Sequence, residues 1–259
     1  MLPVELVDGR NGARLSQPIQ VTIWRDDTLG ARQPFLILNH GRSATETARA
    51  ATRPGPYAAN AHYFARSGFV VFLPMRIGYG ATGGPDIEDT GTCRNKNYPP
   101  GYDASAQQSL AVIAYAKQRA EVDASRGLAV GQSFGGTTAI TLAALNVPGV
   151  LGAVNFAGGG GGGPATHPEE PCRADLLNHM FAGYGRTARI PTLWVYSEND
   201  RYFGQRHPSE WFASFLKAGG KGRYVLLPPY KEDGHPSFTG QPQNWRPAFE
   251  AFVTEVMRR

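Results

Sequence analysis

The sequence predicts an α/β protein with a mostly parallel central sheet of about seven or eight strands and helices on both faces. Three observations support this prediction. Short apolar runs of strand length alternate with longer segments of helical periodicity along the chain. Some runs, such as FVVFLP at 69–74, are continuous and β-branched or aromatic, which is typical of strands buried on both faces. No internal repeat or linker divides the chain, so we expect a single domain over residues 1–259.

The predicted strands and helices follow one another in an order that implies crossover connections. We expect strands at 19–24, 35–40, 69–74, 127–132, 149–157, 191–197 and 223–228. We expect helices at 57–68, 104–120, 134–146, 208–220 and 246–259. A glycine-rich stretch at 157–171 follows one strand, and we expect it to form a mobile loop. Ligands of parallel sheets bind at such carboxyl ends of strands.

Composition and charge exclude several classes of protein. With 41% hydrophobic and 18% charged residues, the chain is that of a folded globular protein. The net charge of +5 comes mainly from scattered single arginines, which does not favour nucleic-acid binding. No run approaches the ~18 apolar residues that a membrane helix needs. The first residues, MLPVELVDGRNG, lack the pattern of a signal peptide.

The two cysteines, Cys93 and Cys172, lie in the polar segments GTCRNKN and EEPCRAD. Buried free thiols usually lie in apolar surroundings, so a disulfide between the two is one interpretation and two free thiols are the other. A disulfide would favour the periplasm or secretion after removal of a signal, and free thiols would fit the cytoplasm. No His, Asp and Glu cluster has close ligand spacing, so we expect neither a metal nor a cofactor.

One serine stands where a predicted strand changes to a predicted helix, in LAVGQSFGGTTA at 128–139. At such a junction the Ser133 hydroxyl projects above the sheet edge, near the positive end of the helix. Gly131 and Gly135 are small because the tight turn brings the two backbones close together. The pattern Gly-x-Ser-x-Gly is short enough to arise by chance. A serine hydroxyl is also a weak nucleophile, so it needs a base and an acid that orients the base.

Candidates for the base and the acid lie in loops after two later strands. His235, in KEDGHPSF, is the preferred base, and His207, which precedes a helix, is the rival. Asp200, in SENDRYF, is the preferred acid, and Glu198 is the alternative. The non-catalytic interpretation is that Asp200 only forms a turn and that His235 is a solvated loop residue. Because Ser133, Asp200 and His235 all fall at strand carboxyl ends, the sequence favours a catalytic triad.

Acyl transfer also needs two hydrogen-bond donors for the oxyanion of the tetrahedral intermediate. The backbone N–H of Phe134, directly after the candidate nucleophile, is the first candidate. The backbone N–H of Arg42, in FLILNHGRSA, is the second, since Gly41 permits the chain to bend there. We expect His40 to brace this loop rather than to act as a second base.

The segments NHGR, GQSFGG, YSEND and DGH, in this order, resemble the α/β-hydrolase superfamily, and most closely its dienelactone-hydrolase-like esterase branch. PMRIGYGATGG at 74–84 is similar to that group as well. The resemblance extends over nearly the whole chain. It implies an α/β-hydrolase fold, the Ser133 triad and the two oxyanion amides. Dienelactone hydrolase itself uses a cysteine nucleophile where this chain has serine, so its substrate is not carried over.

These features predict a serine hydrolase that cleaves small-molecule carboxylic esters through an acyl-enzyme. A peptidase or amidase with the same triad is one alternative, and a non-catalytic binding protein on the hydrolase scaffold is the other. Tyr79, Tyr202 and Phe203 are candidate substrate-binding residues, with ordinary packing as the other interpretation. Arg42 and Arg76 predict positive charge near the mouth of the site, and hence a preference for substrates with a carboxylate.

Overall fold

The computed structural model describes residues 1–30 and 32–258. Its centre is an eight-stranded sheet in the order β1-β2-β4-β3-β5-β6-β7-β8. The strands are β1 (Leu2–Val7), β2 (Arg14–Trp24), β3 (Gln33–Asn39), β4 (Val70–Met75), β5 (Val122–Gln132), β6 (Val150–Phe156), β7 (Pro191–Ser197) and β8 (Lys221–Leu227). All pairs from β4 to β8 are parallel, whereas β2 pairs antiparallel with both β1 and β4. This confirms the predicted mostly parallel sheet.

The helices cover both faces of this sheet. They are α1 (Glu46–Ala50), α2 (Ala58–Arg66), α3 (Pro99–Lys117), α4 (Phe134–Ala144), α5 (Ala174–Thr187), α6 (Arg206–Lys217), α7 (Ser237–Gly240) and α8 (Pro242–Met257). One core cluster packs α3, α4, α5 and α6 against one face, and a second packs α2 and α8 against the other. Neighbouring residues of β3 alternate between the clusters, since Phe35 and Ile37 join the first, and Leu36 and Leu38 the second.

The structure adds elements that the sequence analysis does not predict. Strand β1 forms an edge hairpin with β2, and its side chains alternate, with Val4 and Leu6 buried. Helix α5 follows the glycine-rich stretch, and its buried residues Leu177, Met180 and Phe181 have helical spacing. The last residue of the predicted helix 246–259 lies outside the described residues.

Within residues 1–30 and 32–258, none of the helices has the length and apolar character needed to span a membrane. The loops that follow β3, β4, β5, β6, β7 and β8 carry the predicted functional residues. Because these strands are parallel, their carboxyl ends share one edge of the sheet, and the loops meet there.

Candidate active site

Ser133 forms the single-residue junction between β5 and α4. Its backbone has φ 57° and ψ −125°, a conformation that costs a residue with a side chain on the order of 1–3 kcal/mol. The Ser133 N–H donates to the Phe156 carbonyl of the neighbouring strand at 2.8 Å, which fixes the turn. The strand therefore reverses sharply into the helix, and the half-buried Ser133 side chain lines a cleft at the sheet edge.

Two glycines let this turn close, as the sequence predicts. A Cβ at Gly131 would lie well inside contact distance of the Gly135 carbonyl. A Cβ at Gly135 would overlap the carbonyl oxygens of Asn39 and His40 at the end of β3. The amino end of α4 thus lies directly against two strands, and no side chain larger than hydrogen fits between them.

His235 and Asp200 meet Ser133 in a continuous line of hydrogen bonds. The His235 Nε2 lies 3.0 Å from the Ser133 Oγ, and the His235 Nδ1 lies 3.0 Å from the Asp200 Oδ2. Asp200 is fully buried, and its Oδ1 accepts from the amides of Tyr202 at 2.8 Å and Phe203 at 3.2 Å. Since a carboxylate only accepts, the His235 Nδ1 donates to Asp200, and its Nε2 is free to accept the serine proton.

The loop that carries His235 is held by a residue that the sequence analysis does not name. Asp233 accepts through its Oδ1 from the His235 amide at 2.9 Å and from the Arg201 amide at 3.0 Å. This single carboxylate therefore ties the His235 loop to the loop of Asp200. The Tyr202 ring stacks on the imidazole, with ring centres 4.0 Å apart. An aspartate two residues before the histidine, in a turn, was the available sequence signal.

The rival base and acid do not reach Ser133. His207 is buried at the start of α6, where its Nε2 lies 2.9 Å from the Glu170 carboxylate and its ring stacks on Trp211. Glu198 is exposed. Neither His207 nor Glu198 therefore takes part in the hydrogen bonds around Ser133.

The two residues whose amides are the predicted oxyanion donors, Arg42 and Phe134, lie at the cleft that contains Ser133. Phe134 is the first residue of α4, and Arg42 follows the end of β3. Both line the cleft with Ser133, and no acceptor for either amide is found among residues 1–30 and 32–258. The amide of Gly41, the residue before Arg42, is occupied, because it donates to the Tyr57 hydroxyl at 3.0 Å. Of the two amides in this loop, the one of Arg42 is therefore available.

The cleft around Ser133 has a volume of about 550 Å³, within the size range of small-molecule sites. Its walls are formed by residues 42–45 and Ala48, by 89–91 and Lys96, by the glycines 159–162, and by Tyr202 and Phe203. Tyr202 and Phe203, the other two candidate substrate-binding residues besides Tyr79, line the cleft. A shallower depression of about 730 Å³ at residues 230–240 contains none of the three triad candidates.

The glycine-rich stretch is held in place rather than forming the mobile loop that we expected. We call residues 158–162 the glycine ribbon. The hydroxyls of Tyr196 and Tyr102 donate to two successive carbonyls, those of Gly158 at 2.7 Å and Gly159 at 2.9 Å. The Tyr98 hydroxyl lies 3.3 Å from the next carbonyl, that of Gly160, and makes its shorter hydrogen bond to Cys172. A Cβ at Gly160 would overlap the Tyr102 hydroxyl and the Tyr98 ring, so glycine is required by close packing.

A disulfide joins Cys93 and Cys172, which closes a loop with a sequence separation of 79 residues. It links the cleft wall at 89–96 to the residues that follow the glycine ribbon. Cys172 is held further by its carbonyl, which accepts from the Tyr98 hydroxyl. The His167 Nε2 lies 3.4 Å from the Cys172 sulfur, but the two sulfurs are bonded to each other and so offer no thiolate to a metal ion.

Two predictions about the cleft are wrong. Tyr79 does not line it: the side chain is fully buried, its hydroxyl donates to Glu88 at 2.8 Å, and burial raises the pKa of its phenol. Arg76 does not lie at the mouth, since it forms a fully buried ion pair with Glu88. Arg42 is paired as well, through two 2.7 Å hydrogen bonds to Asp86. The donors of both arginines are thus engaged by protein carboxylates rather than directed at a substrate.

Residues 58–219 match the family model described as the dienelactone hydrolase family. Est1E from Butyrivibrio proteoclasticus, solved with ferulic acid, is similar with a TM-score of 0.64 and 16% identity, over 98% of this chain and 100% of that one. A putative dienelactone hydrolase from Klebsiella pneumoniae subsp. pneumoniae MGH 78578 is similar with a TM-score of 0.63 and 14% identity, over 100% and 99%. The esterase Pf2001 from Pyrococcus furiosus has a TM-score of 0.62 and 14% identity, over 98% and 90%.

At such identities the solved structures show the α/β-hydrolase fold alone. No curated protein matches the chain. The family match covers more than half of the sequence, including the turn at Ser133 and the loop of Asp200. The chain belongs to the dienelactone hydrolase family.

Proposed function

We propose that this hydrolase cleaves carboxylic esters with Ser133 as nucleophile, His235 as general base and Asp200 as the acid that orients the base. The observation that carries the proposal is the line of hydrogen bonds from the Ser133 Oγ through both ring nitrogens of His235 to the buried Asp200 carboxylate. Family membership and the fold support the same chemistry.

The first half of the reaction forms an acyl-enzyme. His235 removes the proton of the Ser133 hydroxyl through Nε2 as the serine oxygen attacks the ester carbonyl. Asp200 stabilises the resulting imidazolium through the hydrogen bond at Nδ1. The ester carbonyl oxygen becomes an oxyanion, which accepts from the amides of Phe134 and Arg42. The intermediate collapses when His235 returns the proton to the departing alcohol.

The second half releases the acid. His235 removes a proton from water, which attacks the acyl carbonyl, and the same two amides stabilise the second tetrahedral intermediate. The C–O bond to Ser133 then breaks, and His235 returns the proton to the serine oxygen. The strained backbone of Ser133 supports this assignment, since such strain occurs where the surrounding fold has to hold a side chain in one position.

Replacement of Ser133 by alanine tests the proposal. We expect Ser133→Ala to lower kcat/KM for p-nitrophenyl butyrate by about 10³-fold or more, because the nucleophile is removed. Ser125→Ala is the matched control, since Ser125 is exposed near the opposite end of the same strand. Hydrolysis by Ser133→Ala at the wild-type rate would overturn the assignment.

Two further measurements separate the alternatives. A fluorophosphonate probe should label the wild-type protein at Ser133, and absence of labelling would support a binding protein on this scaffold. Comparing p-nitrophenyl butyrate with the matching p-nitroanilide tests the leaving group. We expect faster cleavage of the ester, and faster cleavage of the amide would indicate an amidase or peptidase instead.

A further inference from the structure

The loop that carries the second oxyanion donor, residues 40–42, is attached to a buried charged network. We call these three residues the oxyanion loop. A donor amide is useful only if its peptide plane is fixed before the reaction, because reorientation during the reaction costs free energy. Two peptide planes lie in this loop, one between His40 and Gly41 and the other between Gly41 and Arg42.

The first plane is held at both ends. The His40 carbonyl accepts from the Arg76 Nη1 at 2.9 Å, and the Gly41 amide donates to the Tyr57 hydroxyl at 3.0 Å. The Tyr57 hydroxyl in turn donates to the side chain of Gln132, which is the residue before Ser133. This plane is therefore fixed relative to the nucleophile itself.

The second plane is held from one side only. The Gly41 carbonyl accepts from the His40 Nδ1 at 2.7 Å. In a trans peptide the C=O and the following N–H point in opposite directions. Holding the Gly41 oxygen on the side of His40 therefore directs the Arg42 N–H away from His40. Arg42 lines the cleft beside Ser133.

The ring of His40 can do this only in one tautomer. Its Nε2 accepts from the Arg76 backbone N–H at 3.3 Å, so its hydrogen lies on Nδ1 and faces the Gly41 carbonyl. Burial, together with the nearby charge of Arg76, holds the pKa of His40 well below its ordinary value. The Tyr79 ring lies edge-on against the imidazole, with centres 4.6 Å apart.

Arg76 is itself anchored. Its Nε and Nη2 donate to the two oxygens of Glu88, and both side chains are fully buried. Tyr79 donates its hydroxyl to the same carboxylate. A buried guanidinium with a bidentate partner has little freedom to move, so its remaining Nη1 is a fixed point for the His40 carbonyl.

We propose that His40, Arg76 and Glu88 are positioning residues that aim the Arg42 amide at the developing oxyanion. The inference rests on the proposed function and extends it, since none of the three residues lines the cleft. Their substitution should thus reduce stabilisation of the tetrahedral intermediate and leave binding of the intact ester nearly unchanged.

Three substitutions of His40 test the proposal. Asparagine places an amide N–H close to the position of Nδ1, whereas glutamine reaches the position of Nε2, and leucine replaces neither nitrogen. We expect His40→Leu to lower kcat per titrated active site by about 10²-fold, the lower end of the loss of one oxyanion donor, with KM changed less than about threefold. His40→Asn should recover at least ~10-fold of that loss, and His40→Gln should not.

The Kd for an alkyl boronic acid separates a positioning role of His40 from a merely structural one, because a structural role would leave this Kd unchanged. The boronate forms a tetrahedral adduct with a serine nucleophile and places an oxygen in the oxyanion site, so its Kd should rise in parallel with the fall in kcat. The Kd of butyrate, a planar product, should stay constant. Exposed His179→Leu is the control and should leave both values at the wild-type level.

Several results would overturn the proposal. A kcat per titrated site for His40→Leu within threefold of wild type is one, and a lowered kcat with unchanged boronate affinity is another. If His40→Leu does not fold, a glutamine variant that is more active than the asparagine variant would also overturn it. Failure of the proposed function looks different, because Ser133→Ala would then remain active and the wild-type protein would not bind the boronate covalently.

Discussion

The oxyanion loop and the glycine ribbon flank Ser133 and share one construction, but they are held by different chemistry. In both segments, buried side chains donate hydrogen bonds to backbone carbonyl oxygens. Because the C=O and N–H of a trans peptide point in opposite directions, the amide that follows each carbonyl points away from that side chain. On the oxyanion side the holders are a buried guanidinium and a neutral imidazole, from Arg76 and His40. On the ribbon side they are the neutral hydroxyls of Tyr196 and Tyr102.

The two kinds of hydrogen-bond donor differ in how much stability the protein loses when one donor is removed. A buried ion pair is strongly directional, but loss of one partner leaves a charge without compensation. A tyrosine hydroxyl contributes one ordinary hydrogen bond, and its ring continues to pack when the hydroxyl is removed. The oxyanion loop thus depends on a buried ion pair. The glycine ribbon depends on neutral tyrosine hydroxyls and on the nearby disulfide.

The largest expected effect comes from breaking the ion pair. Arg76→Met should lower the free energy of unfolding by about 3–5 kcal/mol, because it leaves the Glu88 carboxylate buried without its partner. Urea denaturation measures this value. The double variant Arg76→Met with Glu88→Gln should be more stable than Arg76→Met alone, since it no longer buries an unpaired charge. A loss under 1 kcal/mol for Arg76→Met would contradict the role of the pair.

Removing the disulfide should have the next largest effect, and it tests the ribbon side. Replacing Cys93 and Cys172 by alanine should lower the free energy of unfolding by about 2–4 kcal/mol, because the bond closes a long loop of the unfolded chain. Wild-type protein in a strong reductant should show the same loss. If the reduced wild type and the double variant unfold at the same urea concentration as the oxidised protein, the bond does not stabilise the fold.

Much of the fold and of the candidate site could be predicted because the signals are local. The apolar runs of β4, β5 and β7 and the glycines around Ser133 can be recognised within ten or so residues. Asp200 and His235 each follow such a run, so their shared edge is a consequence of parallel pairing. The sequence also predicts the cysteine pair as one of two interpretations.

What could not be predicted depends on distant partners. The pattern RIGYG suggests an exposed arginine, since arginines are rarely fully buried. Only the fold brings Glu88 against Arg76, and Arg76 against the His40 carbonyl just after β3. In the same way, the glycine ribbon looks like a flexible loop because the tyrosines that hold it come from residues about 40–60 positions away on other elements.

The pH dependence of stability provides a smaller and more specific test of the charged side. The pKa of folded His40 lies well below the ordinary 6.5, so below pH 6.5 the unfolded chain binds a proton that the folded protein does not. The contribution of His40 to the free energy of unfolding is therefore fully present above about pH 6.5. It is lost as the pH decreases below that value, by up to about 1.4 kcal/mol per pH unit. His40→Asn should lack this contribution, and the other histidines are common to both proteins. Parallel stability curves between pH 5 and 7.5 would contradict it.

The smallest expected effect is at the neutral holders. Tyr102→Phe removes the donor to the Gly159 carbonyl and keeps the ring that stacks on Phe134 with centres 4.2 Å apart. We expect a loss of about 1 kcal/mol in the free energy of unfolding, the usual net contribution of one hydrogen bond. The kcat per titrated active site should change less than about threefold, in contrast to His40→Leu. A Tyr102→Phe variant that lost as much kcat as His40→Leu would place the ribbon amides in the transition state too, and the division between the two sides would fail.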